Sequence, residues 1–307
     1  MNEMVWKQEY QIEKIAFATT AIILNILSCP VTIVMNVLVI MAVKTRRTLQ
    51  SKYNILLACL AGTDLLVGAA SQPSFIVGQI FVIQGLSLSE YCRYHMLTHL
   101  MFIIPIFASV FHLTLISIER FIAIKYTFRY MTMVTGFRLK IAVASSWVLA
   151  FCPAILRSLF ETMGIISRGT SAMFLFLNFS LILFCHISVY FVTRRHEKRI
   201  KCEQVSPQAA ADFAKEKKAL KTTRIIIMTL LLCLVPLPFM YILFWIVFSK
   251  SSHGYTVNII ALSHPVLVTL SSLNSLFNPI IYCYRNTMLR RTCKELLRLK
   301  CTSFNKD

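Results

Sequence analysis

The chain has 307 residues, of which 57% are hydrophobic and 15% are charged, and its net charge is +19. A soluble domain usually carries about 25% charged residues. Long stretches here carry none, which excludes an ordinary soluble globular protein. The ten cysteines form no C-x-x-C pair and no Cys/His cluster at metal-binding spacing, so a structural metal is not expected.

Apolar segments long enough to cross about 30 Å of hydrocarbon recur along the whole chain. Because backbone polar groups in lipid must be satisfied within the segment, each one is predicted to be a helix. The seven predicted spans are residues 15–43, 53–83, 92–124, 139–156, 171–192, 223–248 and 257–284. The predicted fold class is all-α, a seven-transmembrane helix bundle over residues 15–284, preceded by segment 1–14 and followed by segment 285–307.

Lysine and arginine are concentrated in the first, third and fifth connections and in the tail, with about a fourfold excess over the other face. The positive-inside rule therefore predicts an extracellular N-terminus and a cytosolic C-terminus for this multi-pass protein, which we expect in the plasma membrane. This basic collar explains the net charge, because it can meet anionic membrane lipids or an acidic protein. No nucleic-acid partner is expected.

The segment after the last span predicts a short amphipathic cytosolic helix on the inner leaflet. Its apolar positions among basic residues are Met288, Leu289, Leu296, Leu297 and Leu299. Cys293 and Cys301 are candidate lipidation sites there, as palmitoylated thiols, and the alternative is that both are unmodified.

Ionisable residues inside a span are costly and mark functional sites. Asp64 lies in the middle of span two, where a lone carboxylate must be protonated or must hold a cation. Oxygen-bearing residues at comparable depth are Ser109, Asn274, Ser275, Asn278 and Asn36. We expect a cation or a water network around Asp64, while a protonated structural aspartate and a proton relay remain open alternatives.

Glu119 and Arg120 lie near the cytosolic end of span three and can pair locally. Glu216, at the start of span six, is the carboxylate of the fifth connection closest to that end. A contact between Arg120 and Glu216 would join spans three and six in one state and release them in another. Charged pairs near a surface add little stability, which suits a switch, although a solvated Glu216 is the alternative.

Taken together these residues resemble the rhodopsin-like (class A) G-protein-coupled receptor family across nearly the whole chain. Each family motif falls in order on its proper span. The matches are Asn36, Leu60-Ala61-Gly62-Thr63-Asp64 for L-x-x-x-D, Glu119-Arg120-Phe121 for [DE]-R-[YF], Trp147, Tyr190, Cys233-Leu234-Val235-Pro236 for an imperfect C-W-x-P, and Asn278-Pro279-Ile280-Ile281-Tyr282 for N-P-x-x-Y.

The resemblance implies a receptor and not an enzyme. It would transmit an extracellular small-molecule signal to a heterotrimeric G-protein by movement of spans three, six and seven, with arrestin as a further partner. The implied switch residues are Glu119, Arg120, Glu216, Tyr190, Tyr282, Asn278, Pro279 and Phe128. The implied allosteric sodium site is Asp64, Ser109, Asn274, Ser275 and Asn278, and no other cofactor or metal is expected.

The chain also departs from the family pattern. Leu234 replaces the span-six Trp, Leu230 the Phe one turn below, and Ile182 the span-five Pro. Cys92 has no obvious loop partner, so the family disulfide is not predicted. The absent disulfide and span-five Pro resemble the melanocortin, lysolipid and cannabinoid branch.

The resemblance also places the ligand pocket. Ser272 stands where opsins carry their retinal lysine, and Phe102 stands where amine receptors carry an aspartate, so neither ligand is expected. The implied pocket residues are Phe102, Ile103, Ile106, Phe174, Leu234, Leu237, Tyr241 and Val268, with Asn178, His264 and Ser272 as polar points. This lining favours a lipid or another uncharged small molecule. A secondary transporter or channel with Asp64 as an ion or proton site is the alternative function, although no internal repeat supports it.

Overall fold

A computed structural model describes residues 3–85, 88–159, 165–202, 207–236, 239–240, 243 and 254–304, with the side chains of most of them. These residues form long helices joined by short turns, and the described part of the chain contains no β-strand. The long helices are α1, Glu3–Thr45; α2, Lys52–Gln84; α3, Leu88–Lys125; α4, Gly136–Leu159; α5, Ile165–Cys202; α6, Pro207–Leu234; α7, Gly254–Arg285; and α8, Thr287–Phe304.

Six of the described helices, α1 to α5 and α7, are long and apolar enough to cross a membrane. The predicted sixth span, 223–248, includes residues outside the described part. The side-chain distribution is inverted relative to that of a soluble protein. Phe176 and Leu232 are 70% exposed, whereas Asn25, Asn36 and Asp64 are fully buried. An apolar exterior around polar contacts is what a helix bundle in lipid requires.

Helix α3 lies at the centre of the bundle and contacts α2, α4, α5 and α6. In the most apolar stretch of α3, 61% of the residues are buried, against 22% in the corresponding stretch of α4. The main core cluster runs from Leu38 and Leu60 through Val110 and Ile116 to Tyr282. A residue on α3 is therefore well placed to sense movement of several neighbours.

Helix α2 contains a π-helical turn, Val67–Ser71, that brings it close to α1. A Cβ on Gly68 would lie 3.0 Å from Ile33 Cγ1, so any larger residue there would force the Ile33 side chain to shift. A π-helical turn closes its hydrogen bonds over five residues instead of four, and both Ser71 at its end and Gln72 after it are buried. Gln72 Nε2 donates to Ser28 Oγ at 2.8 Å.

Short turns and α8 close one end of the bundle. Arg46, Lys125, Arg138, Lys221 and Arg285 lie at this end, which is called the basic end below; the opposite end is called the far end. The turns there are Arg47–Leu49 after α1, and Thr127–Arg129 with the short helix Tyr130–Met133 after α3. Helix α8 packs Leu289 and Cys293 against the main core, and Arg46 pairs with its Glu295 at 2.7 Å.

Candidate functional site

Asp64 is the centre of a buried polar cluster formed by α2, α3 and α7. Ser275 Oγ donates to its Oδ1 at 2.8 Å, and Asn278 Nδ2 donates to its Oδ2 at 2.8 Å. Ser109 Oγ donates to Oδ1 at 3.4 Å. The carboxyl group itself is fully buried. The structure thus brings together three of the four residues that the resemblance placed around Asp64.

Three amide oxygens near this cluster, Oδ1 of Asn36, Asn274 and Asn278, are buried without a hydrogen-bond partner. Asn36 Nδ2 donates to the Ser275 carbonyl at 3.1 Å, which ties α1 to the cluster. A buried acceptor without a donor is costly. Carboxylate, hydroxyl and amide oxygens are also the ligands that hard cations take, so the oxygen atoms of this cluster fit a small cation.

The second polar cluster lies at the basic end of α3, where Glu119 and Arg120 are 3% and 4% exposed. Arg120 Nε donates to Glu119 Oε2 at 2.5 Å and Arg120 Nη2 donates to Oε1 at 2.6 Å. This two-point pairing is the strongest geometry available to a guanidinium. Tyr130 in the following short helix donates to the same Oε1 at 2.5 Å.

Arg120 also contacts a residue that sequence reasoning missed. Its Cζ lies 4.4 Å from the centroid of the Tyr53 ring on α2. The Tyr53 hydroxyl is hydrogen-bonded to Thr223 Oγ1 on α6 at 3.2 Å. Tyr53 and Tyr130 carry no signal in the sequence beyond their place at the basic ends of helices, because tyrosines are common at membrane interfaces.

The contact predicted between Arg120 and Glu216 stays a prediction. Helix α6 includes Glu216, but its side chain lies outside the described ones. Phe128 is fully exposed in the turn after α3, as a residue that packs on a partner must be.

The two tyrosines that were predicted to belong to the switch lie in different places. Tyr282 of α7 is fully buried in the main core, and its hydroxyl has no hydrogen-bond partner. Tyr190 of α5 is 39% exposed, and the guanidinium groups of Arg194 and Arg224 lie 5.3 Å and 6.0 Å from its ring centroid. The part predicted for both tyrosines in the switch stays a prediction, and in this conformation Tyr282 lies in the core while Tyr190 lies at the surface.

The register of α5 gives the physical reason. Thr114 Oγ1 donates to Asn178 Oδ1 at 3.2 Å, so these two residues share one level. Thr114 precedes Arg120 by about 9 Å along α3, and Tyr190 follows Asn178 by about 18 Å along α5. Tyr190 consequently lies beyond the level of Arg120, at the surface of the basic end. From α5, Ile182 belongs to the same main core cluster as Tyr282, and Phe179 packs against that cluster.

The same register corrects the pocket assignment of Asn178, which lies about 18 Å nearer the basic end than Phe102. Ile103 also departs from its assignment, because it packs with Phe107, Ala150 and Ala154 between α3 and α4. The assigned residues that the structure describes otherwise differ in burial. Phe102, Ile106 and His264 are half-buried, and Leu234, Val268 and Ser272 are buried. Leu237 and Tyr241 lie outside the described residues, as does the side chain of Phe174.

Cys293 does not face the lipid in this conformation. Its thiol lies 4.0 Å from Cys283 Sγ and 3.8 Å from the Leu38 carbonyl, and the residue is 6% exposed. The contact with Cys283 and the burial raise the pKa of Cys293, which keeps the thiol protonated and weakly nucleophilic. Lipidation at Cys293 would require α8 to leave the bundle. Cys301 lies outside the described side chains.

Comparison with known proteins identifies the family. The model of the 7 transmembrane receptor (rhodopsin family) matches residues 35–282. Melanocortin receptor 3 of Mus musculus is 26% identical over 283 residues, covering 90% of this chain and 84% of that receptor. Adenosine receptor A2b of Gallus gallus is 27% identical over 318 residues, covering 91% and 88%.

The high-affinity lysophosphatidic acid receptor of Xenopus laevis is 26% identical over 312 residues, covering 90% of this chain and 81% of that receptor. These matches confirm the predicted resemblance and the predicted seven-helix bundle. The chain belongs to the rhodopsin family of seven-transmembrane receptors, which are G-protein-coupled receptors.

Proposed function

We propose that this receptor carries the signal of an uncharged small molecule bound at the far end to a heterotrimeric G-protein bound at the basic end. One observation carries the proposal. Arg120 lies in the central helix, buried and held by Glu119, with the Tyr53 ring against it. A buried ion pair is weak evidence for stability but is well suited to being exchanged for a different partner.

The basic end is the cytosolic face in this proposal, and the N-terminus is extracellular. The lysine and arginine bias supports the orientation, and the same charges attract acidic partners and anionic lipids. When the basic end of α6 moves away from α3, Arg120 exchanges Glu119 for groups of the G-protein. The exposed Phe128 ring supplies an apolar contact beside it. Arrestin is proposed as a second occupant of this face.

The proposed ligand is a lipid or another uncharged small molecule. Phe102, Ile106 and Val268 are apolar, and among the described pocket residues none carries a carboxylate to pair with an amine. One of the related receptors named above is by its name a receptor for lysophosphatidic acid, which supports a lipid as the ligand but does not support an uncharged head group.

We also propose that Asp64, Ser109, Ser275 and Asn278, with the Asn274 amide oxygen, hold a sodium ion. The ion would supply a positive charge to a carboxylate that is fully buried. The unpartnered oxygens of Asn274 and Asn278 support this assignment. Within the receptor, Asp64 and its partners would join α2, α3 and α7 in the resting state.

Nucleotide exchange on a panel of purified G-proteins tests the output end. Membranes containing the wild-type receptor should accelerate GDP release from one of them, and Arg120→Ala should abolish that effect. The matched control is Arg47→Ala, an exposed arginine of the same end, which should behave like wild type. Equal exchange by Arg120→Ala and wild type would contradict the proposal. Solute flux without any nucleotide exchange would favour the alternative, a transporter or channel.

Thermal unfolding tests the sodium site without any signalling readout. The melting temperature should be higher in sodium chloride than in N-methylglucamine chloride of equal ionic strength, since a ligand of the folded state stabilises it. Asp64→Asn should remove the difference, and Ser109→Ala should reduce it. Ser117→Ala is the control, because this buried serine donates to Leu113 O of its own helix. A sodium response that persists in Asp64→Asn would exclude the site.

A further inference from the structure

Tyr53 joins three helices at the basic end. It lies in the first turn of α2, where Ser51 Oγ accepts from Asn54 N at 3.3 Å and fixes the start of the helix. The Arg120 guanidinium of α3 lies 4.4 Å from its ring centroid. Its hydroxyl is hydrogen-bonded to Thr223 of α6 at 3.2 Å. One side chain thus contacts the switch arginine and the helix that must move.

The two contacts of Tyr53 are of different kinds. The face of an aromatic ring attracts a cation, and the attraction grows when the pair is removed from water, as Arg120 is. The hydroxyl contact is directional and short-ranged, and Thr223 is fully buried where it is made. The ring therefore holds the arginine, and the hydroxyl makes the position of the ring depend on α6.

Helices α2 and α6 also differ in the apolar contacts that hold them in the bundle. Helix α2 is fixed beneath Tyr53 by Leu56, Leu57 and Leu60, all of which belong to the main core. Helix α6 joins the main core at Ile226 and Ile227, after Thr223, whereas its part before Thr223 contributes Leu220 to a small cluster with Ile124 and Val189. Movement of this part of α6 away from α3 separates Thr223 from Tyr53, because Tyr53 stays with α2.

We propose that Tyr53 is a positioning residue that restrains Arg120 in the resting state and releases it when α6 carries Thr223 away. This inference rests on the proposed function, and it adds a restraint through α2 to the pairing of Arg120 with Glu119. The Tyr53 ring holds Arg120, and the hydrogen bond of the Tyr53 hydroxyl makes the position of that ring depend on α6. Loss of the hydroxyl alone therefore weakens the restraint.

The test uses three variants of the full chain in nanodiscs: Tyr53→Phe, Thr223→Val and the double variant. Each single variant removes the same hydrogen bond and leaves the ring in place. The released state should rise about three- to tenfold in each, as expected for one hydrogen bond, and no further in the double variant. Tyr53→Leu removes the ring as well and should exceed them.

Hydrogen–deuterium exchange of residues 220–230 measures the release of α6 directly, and basal GDP release from the G-protein measures its consequence. Two control variants should match wild type in both measurements. Tyr284→Phe removes a hydroxyl from a tyrosine that is 74% exposed. Thr229→Val removes a hydroxyl that donates to Ile225 O of its own helix.

Hydrogen exchange decides the inference and GDP release decides the proposed function, so the two can fail separately. Unchanged exchange in Tyr53→Phe and Thr223→Val would overturn the role of Tyr53, whatever Arg120→Ala does to the G-protein. Additive effects in the double variant would also overturn it, because the two groups would then act independently. Faster exchange in α6 with no GDP release from any G-protein would support the restraint and contradict the proposed function.

Discussion

The far half and the basic half of this receptor contain different kinds of buried polar contact. In the far half, neutral groups join neighbouring helices. Asn25 Nδ2 donates to Thr269 Oγ1 at 2.8 Å between α1 and α7, and Ser71 Oγ donates to the Met101 carbonyl at 2.6 Å between α2 and α3. At the basic end, the central contact is the buried ion pair of Glu119 and Arg120.

The difference indicates which half is able to move. A neutral hydrogen bond in an apolar interior has no charged competitor, so we expect the far halves of α1, α2 and α7 to form a fixed frame. An ion pair that is separated in the interior costs far more than it contributes while intact, unless a new partner takes each charge. We therefore expect the basic end to be stable alone and to respond to a protein that offers such partners.

Removing a frame contact should lower stability and leave signalling unchanged. Asn25→Ala deletes the bond to Thr269 and leaves a small cavity, with an expected loss of about 2 kcal/mol. The measurement is the unfolding midpoint in bicelles, alongside basal GDP release. Thr20→Val is the control on α1, because this residue is exposed. Raised basal GDP release in Asn25→Ala would contradict the separation of frame and switch.

Because α1 and α2 approach closely at Gly68, substitution of Gly68 should lower stability, whereas substitution of Gly62 on the same helix should not. Gly68→Ala places a Cβ 3.0 Å from Ile33 Cγ1 and should cost about 1 kcal/mol through strain. Gly62→Ala, on the same helix, meets no atom within 4 Å and should be neutral or slightly stabilising. Thermal unfolding of the two variants checks this, and equal melting temperatures would show that the π-helical turn is not closely packed.

An exposed ion pair of the basic end should contribute little. Arg46 and Glu295 are 58% and 54% exposed at their side chains. Arg46→Ala should therefore change the free energy of unfolding by less than about 0.5 kcal/mol and should not alter GDP release. Chemical unfolding of wild type and variant measures the difference. A loss comparable to that of Asn25→Ala would show that charge at this end acts through long-range effects and not through burial.

Contacts could be predicted from the sequence where polar groups that can pair lie at the same depth in the membrane. Asp64, Ser275 and Asn278 could be predicted as neighbours because a carboxylate in lipid needs partners at its own depth, and the structure places them within hydrogen-bonding distance. Glu119 and Arg120 could be predicted as a pair because they are adjacent. In both cases the position of each residue along its own helix was sufficient for the prediction.

Contacts that depend on the relative shift of two helices could not be predicted in this way. The positions of Tyr190 and Asn178 follow from the register of α5 against α3, which the contact between Thr114 and Asn178 sets. Tyr53 carries no motif, and its role depends on where α2, α3 and α6 converge. Hydropathy gives the spans, but not how far one helix slides along another.

The most direct test of the account compares Glu119→Gln with Arg120→Ala in basal GDP release from the G-protein. Both variants break the same buried pair, yet opposite signs are expected. Glu119→Gln should raise basal GDP release, because Arg120 is freed while it can still meet the G-protein. Arg120→Ala should abolish it. Loss of GDP release in both variants, or an increase in both, would contradict the claim that Arg120 is the restrained output group of this receptor.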